Sequence, residues 1–122
     1  MNATEATHAV WNAIDADPDY VAELTRALVR IPSVNPKFEA GDGLNRESDV
    51  QDVLEARLAE EGFATSRHDG LPGRPNLIAD WAGDEARSLI LNGHIDTVPV
   101  GNLANWDVDP FGAEVKDGRL YG

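Results

Sequence analysis

The stretch LILNGHIDTVPVG, residues 89–101, decides how this sequence folds and where its chemistry lies. Leu89, Ile90 and Leu91 run through Asn92 into Gly93, an imidazole and a carboxylate follow two residues apart at His94 and Asp96, and Pro99 stops further strand. The longer run SLILNG is apolar on both faces, as a strand buried between helix layers would be. Its shortness, between Gly83 and Gly93, favours strand over buried helix. Residues two apart in a strand point to the same side, so His94 and Asp96 share a face while Ile95 packs on the other. Ligands of open α/β sheets gather beyond the carboxyl ends of strands, which is where this pair falls. Spacing leaves two readings open. His94 is a metal ligand whose second ring nitrogen is held by Asp96, or it is a hydrogen-bonded strand-end histidine beside an ordinary turn acid. An isolated H-x-D has many accidental matches, so the surrounding chain has to decide.

Working outward, residues 1–16 are Ala-rich and weakly patterned, and they read as a frayed helix or loose arm before a single unit over 17–122. Asp17 and Pro18 form a helix start, with Val21, Leu24, Leu28 and Val29 as its apolar stripe. That helix ends near Arg30, ahead of IPSVNP, whose prolines favour extended backbone. NPKFEAGDGLN reads as a loop. From Arg46 a second helix carries Val50, Val53, Leu54 and Leu58 on one face, with Gly62 as its terminator. Phe63–Arg67 is a short strand, LPGRP a turn, NLIADW a second strand and SLILNG a third. In AEVKDGRLYG, Asp117-Gly118 between two extended runs signals a hairpin. The expected class is α/β, a sandwich whose sheet is covered by helices on at least one face.

A chain of 122 residues with 42% hydrophobic and 26% charged residues is long enough for a core and is neither disordered nor membranous in composition. Ten basic against 22 acidic residues give a net charge of -12, spread along the chain. A field of that sign repels phosphate backbones and anionic lipid, which argues against nucleic-acid and membrane partners. It also suits a chain adapted to high salt, where repulsion among carboxylates is screened. With no cysteine there is no disulfide framework and no thiolate metal site, so any ligands must be His, Asp or Glu. The first twenty residues lack the basic and apolar regions of a secretion signal, and the expected compartment is the cytoplasm.

Other candidates read more simply as structure. His8 lies in the N-terminal segment, and His68 in RHDG reads as a solvated turn residue. Asp107 and Asp109 flank Val108 and precede Pro110, which favours turn acids over ligands. Trp106 and Phe111 pin their loop to the core. Arg74 in GRPN could hold a carboxylate, but an exposed turn arginine is the simpler reading. Glu60 and Glu61 close a helix pattern as a solvated acidic pair.

Taken together and in order, LVRIPSVNP, GRPNLIA, LNGHIDTVPVG, a tryptophan, DPF and DGRLYG resemble the N-terminal part of the M20 family of metallopeptidases and deacylases. That group includes acetylornithine deacetylase, succinyl-diaminopimelate desuccinylase, aminoacylase and carboxypeptidase G. The resemblance runs from about Tyr20 to Gly122. It implies a three-layer α/β/α catalytic domain holding two zinc ions, with cobalt as an alternative, and a separate dimerisation domain that makes the parent enzyme a homodimer. It further implies that His94 ligates one metal and that Asp96 lies behind it as a catalytic, orienting group. The implied activity is hydrolysis of amide bonds in N-acyl amino acids or small peptides.

In that family the segment after LYG continues as R-G-x-x-D-x-K-G, which supplies a metal-bridging aspartate, and a Glu-Glu pair and a distal histidine come later. This sequence stops before them, so the 122 residues alone are expected to bind zinc weakly and to be inactive as an amidase. The contrasting expectation is a free-standing, non-catalytic binding or interaction module built on the same fold. Either way, strands without partners are expected to leave an exposed sheet edge.

Overall fold

The computed structural model describes residues 2–84, 86 and 88–122. In chain order the elements are α1 (Ala3–Ala16), α2 (Tyr20–Val29), α3 (Glu47–Glu60), β1 (Ala64–Leu71), β2 (Arg74–Asp80), a short 3-10 turn (Leu103–Asn105), β3 (Glu114–Lys116) and β4 (Arg119–Tyr121). The class is mixed α/β, with two separate two-stranded antiparallel sheets, β1-β2 and β3-β4.

Helix α1 starts because Asn2 and Glu5 cap each other. The Asn2 side chain accepts the Glu5 amide at 2.9 Å, and the Glu5 carboxylate accepts the Asn2 amide at 2.8 Å. The helix buries none of its residues. Helix α2 begins at Tyr20, later than the Asp17-Pro18 start expected from sequence. The Asp17 amide closes α1 on the Ile14 carbonyl at 3.2 Å, and Pro18 and Asp19 form the turn between the helices. Leu24, Leu28 and Val29 are half-buried, but Val21 is exposed and does not join their stripe.

Helix α3 follows its expected pattern more closely. Val50 is buried, Val53, Leu54 and Leu58 are half-buried, and Gly62 turns the chain out of the helix at a φ of +89°. Two polar residues on the same helix, Glu47 and Gln51, are also buried. Strand β1 is longer than expected and takes in RHDG, so His68 pairs with Asn76 in a ladder and does not sit in a turn. The turn comes later, at Pro72 and Gly73, where the Asp69 carboxylate accepts the Gly73 amide at 2.9 Å. Arg67 ties this hairpin to α3 through Asp52 at 2.7 Å and Glu55 at 2.6 Å. At the other end, Asp117 and Gly118 both have positive φ, as a two-residue hairpin turn requires, and they join β3 to β4.

The third expected strand is not formed. Residues 88–93 belong to no ladder, and Leu89, Ile90 and Leu91 are 82%, 88% and 86% exposed. A strand exists through hydrogen bonds to a neighbour, and the described sheet beside this run contains only β1 and β2. The buried centre lies elsewhere. Val34 and Val50 are buried together with Ser33, Glu47 and Gln51, and Ala113 is also buried. Around Val34 the chain makes two isolated bridges, Ser33 antiparallel to Asn45 and Val34 parallel to Thr97. The second of these brings residues 33–35 alongside the HIDT segment.

Candidate metal site at His94 and Asp96

Local backbone pairing sets this site. The Thr97 amide donates to the Ser33 carbonyl, and the Asn35 amide donates to the Thr97 carbonyl, both at 2.9 Å. The Ser33 hydroxyl donates to the Ile95 carbonyl at 2.7 Å. Residues 95–97 are thereby fixed against PSVN although the aliphatic run before them is free. Ile95 and Asp96 are half-buried, whereas the His94 side chain is 84% exposed.

His94 and Asp96 do meet on one side of the chain. His94 Nδ1 lies 2.9 Å from the Asp96 carbonyl oxygen and 3.0 Å from Asp96 Oδ1. A carbonyl and an ionised carboxylate only accept, so Nδ1 carries the hydrogen and the neutral ring keeps its lone pair on Nε2. That arrangement presents a basic nitrogen on an exposed ring.

The other carboxylate oxygen is held from the opposite side. Asn35 Nδ2 donates to Asp96 Oδ2 at 2.6 Å, and Arg74 Nη2 lies 3.6 Å from the same oxygen. The Asn35 hydrogen bond is the main reason that the Asp96 carboxyl lies below the usual carboxylate range. Partial burial opposes the shift, while His94 and Arg74 add to it. Arg74 is anchored by Glu47: its Nε lies 3.0 and 2.9 Å from the two carboxylate oxygens, and its Nη2 lies 2.7 Å from Oε1. That hydrogen-bonded pairing raises the guanidinium pKa further above its ordinary value.

Sequence reading named His94, Asp96 and, as a minor option, Arg74; it missed Asn35 and Glu47. A signal for Glu47 was present. It stands three residues before Val50 on the apolar face of α3, where an acid needs a cation. Asn35 carried none, because its role follows from the pairing of residues 33–35 with 95–97.

Of the remaining candidates, Trp106 and Phe111 border the same cleft as His94, and the others take part in other contacts. His8 is exposed on α1 against Trp11, with ring centroids 5.6 Å apart. Asp109 accepts the Phe111 amide at 2.9 Å and acts as a turn acid. Glu60 pairs with Arg57 at 3.2 Å on an exposed face. Trp106 donates from Nε1 to the Val100 carbonyl at 2.9 Å, and with Phe111 it lines an apolar cleft of about 400 Å³ that His94 and Ile95 also border. Among the described residues no group of three or more His, Asp or Glu is placed to hold a metal ion. The residues therefore fit one corner of a metal shell, His94 with its ring already oriented, and not a closed site.

Against this geometry, residues 90–122 match the family described as Peptidase family M20/M25/M40. The match includes the HID segment and the closing hairpin. Among curated proteins, the whole chain is 44% identical over 123 residues to succinyl-diaminopimelate desuccinylase 2 of Ruegeria sp. (strain TM1040), covering 26% of that protein. It is 50% identical over 103 residues to the succinyl-diaminopimelate desuccinylase of Ruegeria pomeroyi, with 83% of this chain and 24% of the relative aligned. For the corresponding protein of Beijerinckia indica the identity is 40% over 104 residues, covering 82% of this chain and 24% of the relative. These matches establish the likeness to M20 metallopeptidases and deacylases, and they establish it for the N-terminal part of such a protein. The chain spans about a quarter of the length of the curated relatives it matches.

Proposed function

We propose that this chain is the N-terminal part of a metal-dependent hydrolase that cleaves the amide bond of an N-acyl amino acid, with an N-succinyl diamino acid as the preferred substrate class. The observation that carries this reading is the His94–Asp96 contact: Nδ1 is held by a carboxylate and the lone pair lies on Nε2 of an exposed ring. The desuccinylase relatives support the choice of acyl group.

In this reading Nε2 of His94 binds one metal of a zinc pair, and cobalt is an alternative occupant. Asp96 is the orienting carboxylate behind it, fixing the tautomer and strengthening the imidazole as a donor. The chemistry that bound metal supplies is acidification of a water and polarisation of the amide carbonyl. Further ligands must come from outside the described cluster, which is why the 122 residues alone bind metal weakly and do not turn over substrate. The apolar cleft lined by Trp106 and Phe111 opens beside His94 and Ile95, while the imidazole itself stays exposed to incoming metal and water. The complete protein is read as a cytoplasmic homodimer. Among the described residues, no helix is long and apolar enough to cross a membrane.

A segment exchange tests this function. The corresponding quarter of the Ruegeria sp. desuccinylase is replaced by this chain, and release of succinate from N-succinyl-diaminopimelate is followed with added zinc. The expected result is zinc-dependent turnover that His94→Ala abolishes and Asp96→Ala lowers by roughly 100-fold. A hybrid that remains fully active with His94→Ala would refute the assignment.

A further inference from the structure

We infer that Asn35 and Arg74 are positioning residues that fix the plane of the Asp96 carboxylate and, through it, which nitrogen of His94 carries the proton. The inference deepens the proposed function, since it concerns how His94 is prepared as a ligand.

The two oxygens of Asp96 are divided between two tasks. Oδ1 faces His94 Nδ1 at 3.0 Å, while Oδ2 takes the Asn35 amide at 2.6 Å and lies 3.6 Å from Arg74 Nη2. The Asn35 side chain has no freedom to reverse. Its Oδ1 accepts the Lys37 amide at 2.9 Å, which leaves the NH₂ group for Asp96. Its backbone is equally fixed, because the Asn35 amide donates to the Thr97 carbonyl at 2.9 Å and sets residue 35 beside residue 96. Arg74 is held just as firmly. Glu47, buried at the first residue of α3, receives the guanidinium along its Nε edge, so the Nη2 group stays beside Asp96.

Two chain segments that are remote in sequence therefore grip one carboxylate, and a third, through Glu47, holds Arg74 in place. Without that grip, Asp96 can rotate toward solvent. His94 Nδ1 then keeps only the Asp96 main-chain carbonyl as an acceptor, a neutral hydrogen bond weaker than the one to a carboxylate. With that weaker hold the ring shifts toward the Nε2–H form that a neutral imidazole prefers in water, which places a hydrogen on the nitrogen that must bind metal.

The Lys37 turn contact separates this role from a merely structural one. Asn35→Asp keeps an oxygen for the Lys37 amide but replaces the donor facing Asp96 with a negative charge. A residue needed only for the turn tolerates that change, and a positioning residue does not. The experiment uses the ¹⁵N-labelled, metal-free chain, with long-range ¹H–¹⁵N spectra recorded at a pH where the imidazoles are neutral. In the wild-type chain His94 is expected as Nδ1–H, while His8 and His68 show the ordinary excess of Nε2–H. Asn35→Asp is expected to move the His94 ratio toward Nε2–H by roughly fivefold or more, and Arg74→Gln to move it by less in the same direction. Amide spectra report whether each variant is folded.

A folded Asn35→Asp chain with an unchanged His94 ratio overturns the inference. Should that variant not fold, Asn35→Ala and Arg74→Gln give the same readout, and no change in both overturns it equally. Zinc is then added in a separate arm. A wild-type chain with the Nδ1–H form whose His94 does not respond to zinc refutes the metal-ligand reading and leaves the positioning inference standing.

Discussion

Residues 89–91 and 95–97 are close neighbours in sequence and behave in opposite ways. Leu89, Ile90 and Leu91 are among the most apolar residues of the chain, yet they are more than four-fifths exposed. Ile95, Asp96 and Thr97 are more polar, and they are tied to Ser33 and Asn35 by four hydrogen bonds of 2.6–2.9 Å. Hydrophobicity alone would have reversed the outcome. What separates the two segments is whether a partner strand lies within reach: PSVN supplies one for IDT, and no described segment supplies one for LIL. Burial of apolar surface needs a complementary surface, and backbone polar groups need acceptors before a strand can form.

The sharpest way to break this comparison is to place the same charge in both regions. Val34→Asp puts a carboxylate at a site 1% exposed beside the Val34–Thr97 bridge and is expected to cost more than about 4 kcal/mol, enough to abolish cooperative urea unfolding. Ile90→Asp, at a site 88% exposed, is expected to change stability by less than about 0.5 kcal/mol while lowering aggregation in light scattering. Equal losses from both substitutions would show that the aliphatic run is packed in solution.

A smaller effect is expected from the polar anchor. Glu47→Gln leaves the Arg74 guanidinium without its carboxylate and is expected to lower the unfolding free energy by about 2 kcal/mol in urea titrations. The smallest effect is in pH. Asp96 has a lowered carboxyl pKa in the folded chain, chiefly through Asn35, so its contribution to stability is complete above the ordinary carboxylate value of about 3.9 and is lost as pH falls through the lower folded value. The stability difference between wild type and Asp96→Asn should therefore be flat above about pH 5 and shrink below about pH 4. A difference that widens on acidification would contradict the hydrogen-bonded, ionised Asp96 described above.

Much of the local structure was legible in the chain because its signals are local. Asp117-Gly118 demands a two-residue turn, Gly62 ends α3, and the Val50 face of that helix is periodic. The HID spacing likewise brought His94 and Asp96 together, since residues two apart in extended backbone share a side. Illegible were the features that depend on partners. SLILNG has the composition of a buried strand but no ladder, and composition carries no information about whether a neighbour is present. Asn35 and Arg74 come from a loop and a strand start and meet at Asp96, with Glu47 from a helix start holding Arg74, and the approach of Asn35 depends on the register of residues 33–35 against 95–97. Asn2 and Glu5 formed a capping box in a segment that looked loose because its apolar pattern was weak.

The central claim is that His94, prepared by Asp96, is the metal-binding side chain of this chain. Adding zinc to the ¹⁵N-labelled protein and following the ring nitrogens of its three histidines tests it most directly. The account predicts that Nε2 of His94 shifts first and most, with weak affinity, and that His94→Ala removes the response. Equal responses from His8 and His68, or none from His94, would contradict it.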